Sequence, residues 1–284
     1  VAEILSRPDQ PVILPDLAAG CSMADMANLA KVERSFRALS KVLDFDKTIT
    51  PLTYINSAAD LKAFCGEHGG IVCTSTNATR MIEWSFAQRE KVLFFPDQNL
   101  GRWSGHKMGI ALEQMPVWDP DQPMGGLTDE QIKSARILLW KGHCAVHQMF
   151  RPQNIIKFRN EHPDGFVISH PEAPYEVCLQ SDYVGSTEFI IKTVGAAPAG
   201  TRWLVGTELN LVNRLGEKRK PEGKVVLTCP YDWSPGATPV EAWLGGHSQR
   251  SPLAGSCESV LRTLLTPGAH LGSINTLKLT AERD

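Results

Sequence analysis

Short apolar runs alternate along the chain with amphipathic stretches of helical period, and each run stops at a polar loop. Thr48–Ile55, Ile71–Thr74, Lys91–Phe95 and Pro116–Trp118 are rich in β-branched and aromatic residues and are predicted strands. Between them, helices are predicted over Ser57–Gly66, from the cap Ser75-Thr76-Asn77 to about Glu90, and from Pro96-Asp97-Gln98-Asn99 through His106. Ahead of this block, Val1–Ser6 reads as the end of a helix and Pro11–Pro15 as a short buried strand. A loop ending in Ala19-Gly20-Cys21 follows. Ser22 is then predicted to cap an amphipathic helix reaching about Leu43, with Asp25 in its first turn.

Asp119–Thr128 is rich in Pro and Gly and reads as a linker. Beyond it the alternation resumes. The pattern predicts a helix over Asp129–Leu139, the octapeptide Trp140–His147, a helix after Pro152, a strand over Gly165–Ser169 and a helix over Tyr175–Leu179. Ser181–Val184 is strand-like, and Gly185-Ser186-Thr187 opens a helix to Val194. A strand over Thr201–Val205, a helix to Leu215 and a strand over Lys224–Thr228 complete the series, which stops at Cys229. Strands alternating with helices argue for βα units and parallel sheets. Pro230–Asp284 loses the theme: it is rich in Gly, Pro, Ser and Thr, with one apolar stretch at Val260–Leu265, and reads as loosely structured.

Composition narrows the functional classes. The 284 residues are 42% hydrophobic and 21% charged, ordinary for a globular protein, and the net charge of −2 gives no electrostatic footprint for nucleic acid. No basic run marks a membrane surface, no stretch approaches a spanning length, and no signal peptide opens the sequence; the expected setting is the cytoplasm. Seven cysteines scattered through a chain of this size point to free thiols, some of them metal ligands, rather than a disulfide framework.

Candidate chemistry gathers where apolar runs end. In Trp140–His147 two histidines bracket a cysteine (His143, Cys144, His147) behind Ile137-Leu138-Leu139, a run that reads as a buried strand or a helix end delivering side chains into a pocket. Thiolate and imidazole suit iron, zinc or an iron–sulfur cluster, and a half-buried cysteine beside surface histidines is the alternative. Cys21 and Cys229 share this setting. No C-x-x-C occurs, which excludes zinc-ribbon and ferredoxin spacing, and by spacing alone the three distant cysteines read equally as buried structural thiols. Cys65, Cys73, Cys178 and Cys257 read as structural. His170-Pro171-Glu172 puts an imidazole and a carboxylate side by side at a strand end, while Gly185-Ser186-Thr187 and Ser75-Thr76-Asn77 are either plain caps or anion sites. No P-loop, G-x-G-x-x-G or G-x-S-x-G is present, which disfavours nucleotide hydrolysis, Rossmann redox chemistry and esterase function.

Eight motifs in order then carry a resemblance: Ala19–Met26 (AGCSMADM), Thr53–Ser57 (TYINS), Cys73–Ala78 (CTSTNA), Phe95–Gly101 (FPDQNLG), Gly142–His147 (GHCAVH), His170-Pro171-Glu172, Gly185-Ser186-Thr187 and Gly206-Thr207-Glu208. Together they resemble the quinolinate synthases of bacterial NAD biosynthesis, over about Val1–Cys229. The resemblance implies three similar small α/β domains with parallel sheets around a pseudo-threefold axis. It implies condensation of iminoaspartate, supplied by L-aspartate oxidase, with dihydroxyacetone phosphate to give quinolinate, phosphate and water. It also implies an oxygen-sensitive [4Fe–4S] cluster on Cys21, Cys144 and Cys229 with one iron open to substrate. Tyr54 and Asn56 would contact substrate, Tyr54 also moving a proton. Ser75, Ser186 and Thr187 would bind carboxylate or phosphate. His170 and Glu172 would form a substrate-binding and general-base pair beside His147.

Two departures shape the domain expectation. The family's first domain supplies a His-x-Tyr pair and a serine well before the first cysteine, and the 20 residues ahead of Cys21 match neither. Past the third cysteine the family continues C-x-x-Met, whereas this chain reads Cys229-Pro230-Tyr231-Asp232; Ala173 also stands where the family has Cys. The expected organisation is a remnant of the first domain over 1–40, a second domain over 41–125, a third over 126–229 and an atypical tail over 230–284. An inactive remnant that keeps the scaffold and a metal pocket is the alternative function, and a zinc hydrolase on His143, His147, His170 and Glu172 is a third reading, although H-E-x-x-H is missing.

Overall fold

The computed structural model describes residues 21–228. The predicted helix Val1–Ser6, the strand Pro11–Pro15, Cys229 and the tail from Pro230 lie outside the described residues. The chain enters through helices α1 (Ser22–Met26), α2 (Leu29–Leu39) and α3 (Phe45–Thr48). It then alternates β1 (Ile49–Tyr54), α4 (Ala59–Glu67), β2 (Ile71–Cys73), α5 (Ala78–Gln88), β3 (Lys91–Phe95), α6 (Gln98–Lys107), β4 (Val117–Trp118), α7 (Asp129–Ser134) and β5 (Ile137–Trp140). A second series follows: α8 (Pro152–Glu161), β6 (Phe166–Ser169), α9 (Tyr175–Gln180), β7 (Tyr183–Val184), α10 (Thr187–Ala196), β8 (Arg202–Gly206), α11 (Leu209–Arg219) and β9 (Val225–Thr228).

Among the described residues all strand pairs are parallel, and they form two sheets in the orders β2-β1-β3-β5-β4 and β7-β6-β8-β9. The short edge strand β4 aside, both sheets follow one plan: the second strand flanks the first, and the third and fourth extend the other side. Chain direction across the sheet therefore reverses between β1 and β3, and again between β6 and β8. Loops at the carboxyl ends of such strand pairs diverge and leave a crevice, the usual ligand position in parallel α/β sheets. Every residue of β1, β3 and β5 is buried, as expected for strands covered by helices on both faces. Buried lysines stitch both sheets alike. At the start of β3, Lys91 Nζ donates to Lys133 O at 2.5 Å and Ala135 O at 2.8 Å, closing the carboxyl end of α7. Ahead of β9, Lys224 Nζ does the same for α10 through Val194 O at 3.1 Å and Gly195 O at 3.0 Å.

Most predicted elements lie where periodicity placed them, with three differences. The helix from Ser22 to Leu43 is two helices. Cys21, not Ser22, occupies the first cap position, and Asn28 begins α2 by accepting the Lys31 N–H at 3.0 Å, so its short polar side chain competes with continuation of the helix. The helix predicted to reach Leu139 stops at Ser134. Its start follows the pattern, with Thr128 and Gln131 forming a capping box, but Ile137–Trp140 pairs with β3 and β4 as a fully buried strand. The linker Asp119–Thr128 is packed structure: Lys31 meets Asp121 at 2.8 Å, and Gly125 passes so close to Trp118 that a Cβ would lie 2.3 Å from its ring. The expected domain boundary at 125/126 thus falls inside the first sheet, which takes its fourth and fifth strands from either side of it.

Candidate active site at the facing strand ends

The carboxyl ends of the two sheets meet. Beyond β5 the chain turns at Gly142, where a Cβ would sit 2.2 Å from Pro96 O, so only glycine lets this loop pass the loop after β3. The two loops are laced by Gln98 N–H donating to Gly142 O at 2.9 Å and Cys144 N–H donating to Asp97 Oδ2 at 3.1 Å. Asp97 Oδ1 also caps α6 by accepting the Leu100 N–H at 2.7 Å. A short 3-10 turn over His147–Met149 then points His147 at the second sheet. There its Nε2 lies 3.2 Å from Thr207 Oγ1, one residue past β8.

His170 and Glu172 follow β6. His170 N–H donates to Gly206 O at 2.9 Å, extending the ladder, and Ala173 N–H donates back to His170 O at 2.9 Å, closing a tight turn around Pro171. The Glu172 carboxylate consequently faces both imidazoles: Oε2 is 3.1 Å from His147 Nδ1 and 3.2 Å from His170 Nδ1, and the two rings stack at 4.6 Å. Asn99 Nδ2 donates to Glu172 O at 3.1 Å and so ties the loop after β3 to the loop after β6. Exposure is 7% for His147 and 3% for His170 and Glu172.

Burial sets the electrostatics. It opposes ionisation of Glu172, but the two imidazoles outweigh it and hold the carboxyl well below the usual carboxylate range. Burial likewise disfavours charge on His147, and Cys144 and Glu172 reverse that, leaving its pKa raised; His170 stays depressed by burial, with Glu172 only partly opposing. Glu172 and His147 are thus each shifted toward the charged form and stabilise one another as a buried pair. Asp97 is fully buried, and burial together with repulsion from Glu172 pushes its carboxyl up to about 8. Tyr54 ends β1 buried; burial first, then the Glu172 charge, raise its pKa, and a hydrogen bond with Ser75 opposes without reversing this, so the phenol keeps its proton.

The cysteines fall into two groups. Burial pushes the thiols of Cys65 and Cys178 up to about 12 and that of Cys73 higher still, which disfavours the thiolates that metals require. Cys21 is exposed and Cys144 half-buried. Cys21 starts α1, whose other end is held against the octapeptide by Trp140 Nε1 donating to Met26 O at 3.0 Å and His143 N–H to Met26 Sδ at 3.4 Å. Met23 of α1 is buried in the cluster against which Cys144 packs. Among the described residues the thiols not fully buried are therefore Cys21 and Cys144; the third expected cluster ligand, Cys229, lies outside the described residues.

Of the sequence-predicted residues, Tyr54, Ser75, Cys144, His147, His170 and Glu172 come together here. Asn56 and Thr187 are exposed on the same strand-end loops, and buried Ser186 caps α10 by accepting the Phe189 N–H at 3.4 Å. Asp97 and Asn99, expected only as part of a helix cap, and Thr207, within the Gly206-Thr207-Glu208 motif, are the residues that orient Cys144, Glu172 and His147.

Comparison with known proteins completes the picture. The family model for quinolinate synthetase A protein, NadA, matches residues 1–237. The chain belongs to the NadA family. Quinolinate synthase of Rhodopirellula baltica is 54% identical over 240 residues, covering 81% of this chain and 61% of that protein. The Corynebacterium glutamicum enzyme is 53% identical over 214 residues, covering 75% and 54%, and that of Herpetosiphon aurantiacus 50% over 232 residues, covering 81% and 62%. The chain thus spans 54–62% of the length of these NadA relatives. Among the described residues no helix is long and apolar enough to cross a membrane.

Proposed function

We propose that the protein is a quinolinate synthase of the cytoplasm, condensing iminoaspartate, supplied by L-aspartate oxidase, with dihydroxyacetone phosphate to yield quinolinate, phosphate and two waters. The observation that carries this reading is the meeting of Cys144, His147, His170 and Glu172 at the strand ends of a chain that belongs to the NadA family. Cys21, Cys144 and Cys229 would hold a [4Fe–4S] cluster, and the accessibility of the first two, against the burial of Cys65, Cys73 and Cys178, supports that ligand set. Once bound, such a cluster supplies a Lewis acid at its open iron.

The chain's own groups would do the rest. Ionised Glu172 is the proton acceptor for enolisation, and His147 with His170 shares the proton it takes. The Tyr54 phenol, kept protonated, donates a hydrogen bond or proton to a developing oxyanion, with Ser75 orienting it. Asn56 would contact substrate. Ser186 and Thr187 open α10, whose free N–H groups suit the phosphate of dihydroxyacetone phosphate.

The test is anaerobic iron–sulfide reconstitution of the chain, with iron and sulfide content and the EPR signal of the reduced protein as readouts. Cys21→Ser, Cys144→Ser and Cys229→Ser should each lose the cluster, while Cys65→Ser and Cys73→Ser keep it. Full retention in any of the first three removes that residue from the ligand set. An assay of quinolinate formed from the two substrates tests the activity itself.

A further inference from the structure

The strand-end site carries a second set of metal ligands. One donor atom from each of Cys144, His147 and Glu172 lies within 4.8 Å of the others. Among the described residues few buried side-chain polar atoms lack a hydrogen-bond partner, and two of them are His147 Nδ1 and Glu172 Oε1. His147 Nδ1 is 3.1 Å from Glu172 Oε2, yet out of alignment for a hydrogen bond. Glu172 Oε1, which meets neither imidazole, is thus buried without a hydrogen bond, an unfavourable state that marks a place shaped for something else.

We infer that the cluster-free chain binds a single divalent transition-metal ion of the zinc type through Cys144 Sγ, His147 Nδ1 and a carboxylate oxygen of Glu172, and that this ion excludes the cluster by occupying Cys144. The three-ligand site stands on the geometry alone; the competition rests on the function proposed above. Ligand bonds of about 2.0–2.3 Å in a tetrahedron set donors roughly 3.3–3.8 Å apart, so a spread of no more than 4.8 Å closes with small side-chain rotations. Thiolate, imidazole and carboxylate together are a zinc-type donor set, and zinc outranks ferrous iron at such a site.

The surroundings are those of a metal site. A ligating histidine usually anchors its second ring nitrogen, and His147 does so through Nε2 on Thr207 Oγ1 at 3.2 Å, which leaves Nδ1 for the ion. Asp97 holds the Cys144 main chain at 3.1 Å, and Asn99 holds that of Glu172 at 3.1 Å. Cys144 lies at the half-exposed side of the site, which leaves a fourth position for water.

Cobalt is the probe. The metal-stripped chain is titrated anaerobically with Co2+, and the thiolate-to-cobalt charge-transfer band and the visible bands of tetrahedral cobalt are recorded before displacement by Zn2+. One equivalent should bind. Cys144→Ser should abolish the charge-transfer band, and Glu172→Gln and His147→Gln should each weaken Co2+ binding by more than about tenfold, with circular dichroism confirming the fold. Cys21→Ser should bind Co2+ like the parent, although the proposed cluster needs Cys21. Absence of a tetrahedral spectrum in the parent overturns the site, as does a charge-transfer band that survives Cys144→Ser, or unchanged affinity in both His147→Gln and Glu172→Gln. In a second arm, one equivalent of Zn2+ added before iron and sulfide should suppress cluster assembly in the parent and much less in Glu172→Gln; equal suppression in the two overturns the competition. If the parent assembles no cluster without zinc, the proposed function fails while the cobalt result still decides the site.

Discussion

Replacing Asp97 separates two tasks that its side chain performs at once. One oxygen caps α6 through Leu100 N–H and the other fixes the Cys144 N–H. Asp97→Ala removes both. A lost cap costs about 0.5–2 kcal/mol, and an unpaired buried N–H at Cys144 about 1–3 kcal/mol more, so about 2–5 kcal/mol of stability should go. Asp97→Asn keeps the size and the capping oxygen but turns an amide NH2 toward the Cys144 N–H, two donors facing each other. Only the second cost then applies. Removal of a carboxyl that burial and Glu172 already disfavour offsets part of it, so the loss should be about 1–2 kcal/mol. Urea unfolding measures stability, and alkylation by iodoacetamide followed by mass spectrometry measures how each thiol is held. With the loop after β5 untethered, Cys144 should alkylate severalfold faster in both variants, while exposed Cys21 should not change. If Asp97→Asn is as unstable as Asp97→Ala, or leaves the Cys144 rate unaltered, then Asp97 is a helix cap and nothing more.

Two further expectations follow from close contacts. Gly142→Ala would force a Cβ to 2.2 Å from Pro96 O, a backbone atom that cannot yield; stability should fall by more than about 2 kcal/mol in urea unfolding, and a smaller change would mean that the two loops are not packed as described. Trp118→Phe keeps the ring in its pocket but removes the Nε1–H donated to Ser35 Oγ at 2.8 Å, and should cost about 1–3 kcal/mol. A neutral result there would show that water replaces the indole.

The strands and the candidate site were legible in the sequence for the same reason. Buried parallel strands are short apolar runs, and Lys91–Phe95 and Phe166–Ser169 stop where polar residues begin, so the loops stood out. Tyr54, Ser75, Cys144, His170 and Glu172 could be read from those loops once the family resemblance gave them roles. The helix expected over Asp129–Leu139 failed because Ile137-Leu138-Leu139 suits a buried helix turn as well as a strand, and only pairing with β3 and β4 decides. The roles of Asp97, Asn99 and Thr207 were invisible for a different reason. Each acts on a residue 47, 73 or 60 positions away in the chain, and a polar residue in a loop motif does not announce which distant group it will hold.

The shared strand order explains why these long-range contacts arise at all. In each sheet site residues gather at the ends of the first and third strands: Tyr54 ends β1 and Asp97 follows β3, His170 and Glu172 follow β6 and Thr207 follows β8, while Cys144 and His147 come from the loop after β5. The first and third strands are adjacent and their connections leave in opposite directions, so each sheet opens one crevice at its carboxyl end. A single crevice could expose a histidine or a carboxylate, but water would reach it and weaken every charge interaction inside. Two crevices set against each other bury Glu172 and His147, and only buried groups reach the low dielectric that binds a proton or a metal firmly. The residues that join them, Asn99 to Glu172 and Thr207 to His147, therefore matter to the chemistry as much as the groups they hold. A substitution that loosened either join would let water in without touching the Glu172 carboxylate or the His147 ring.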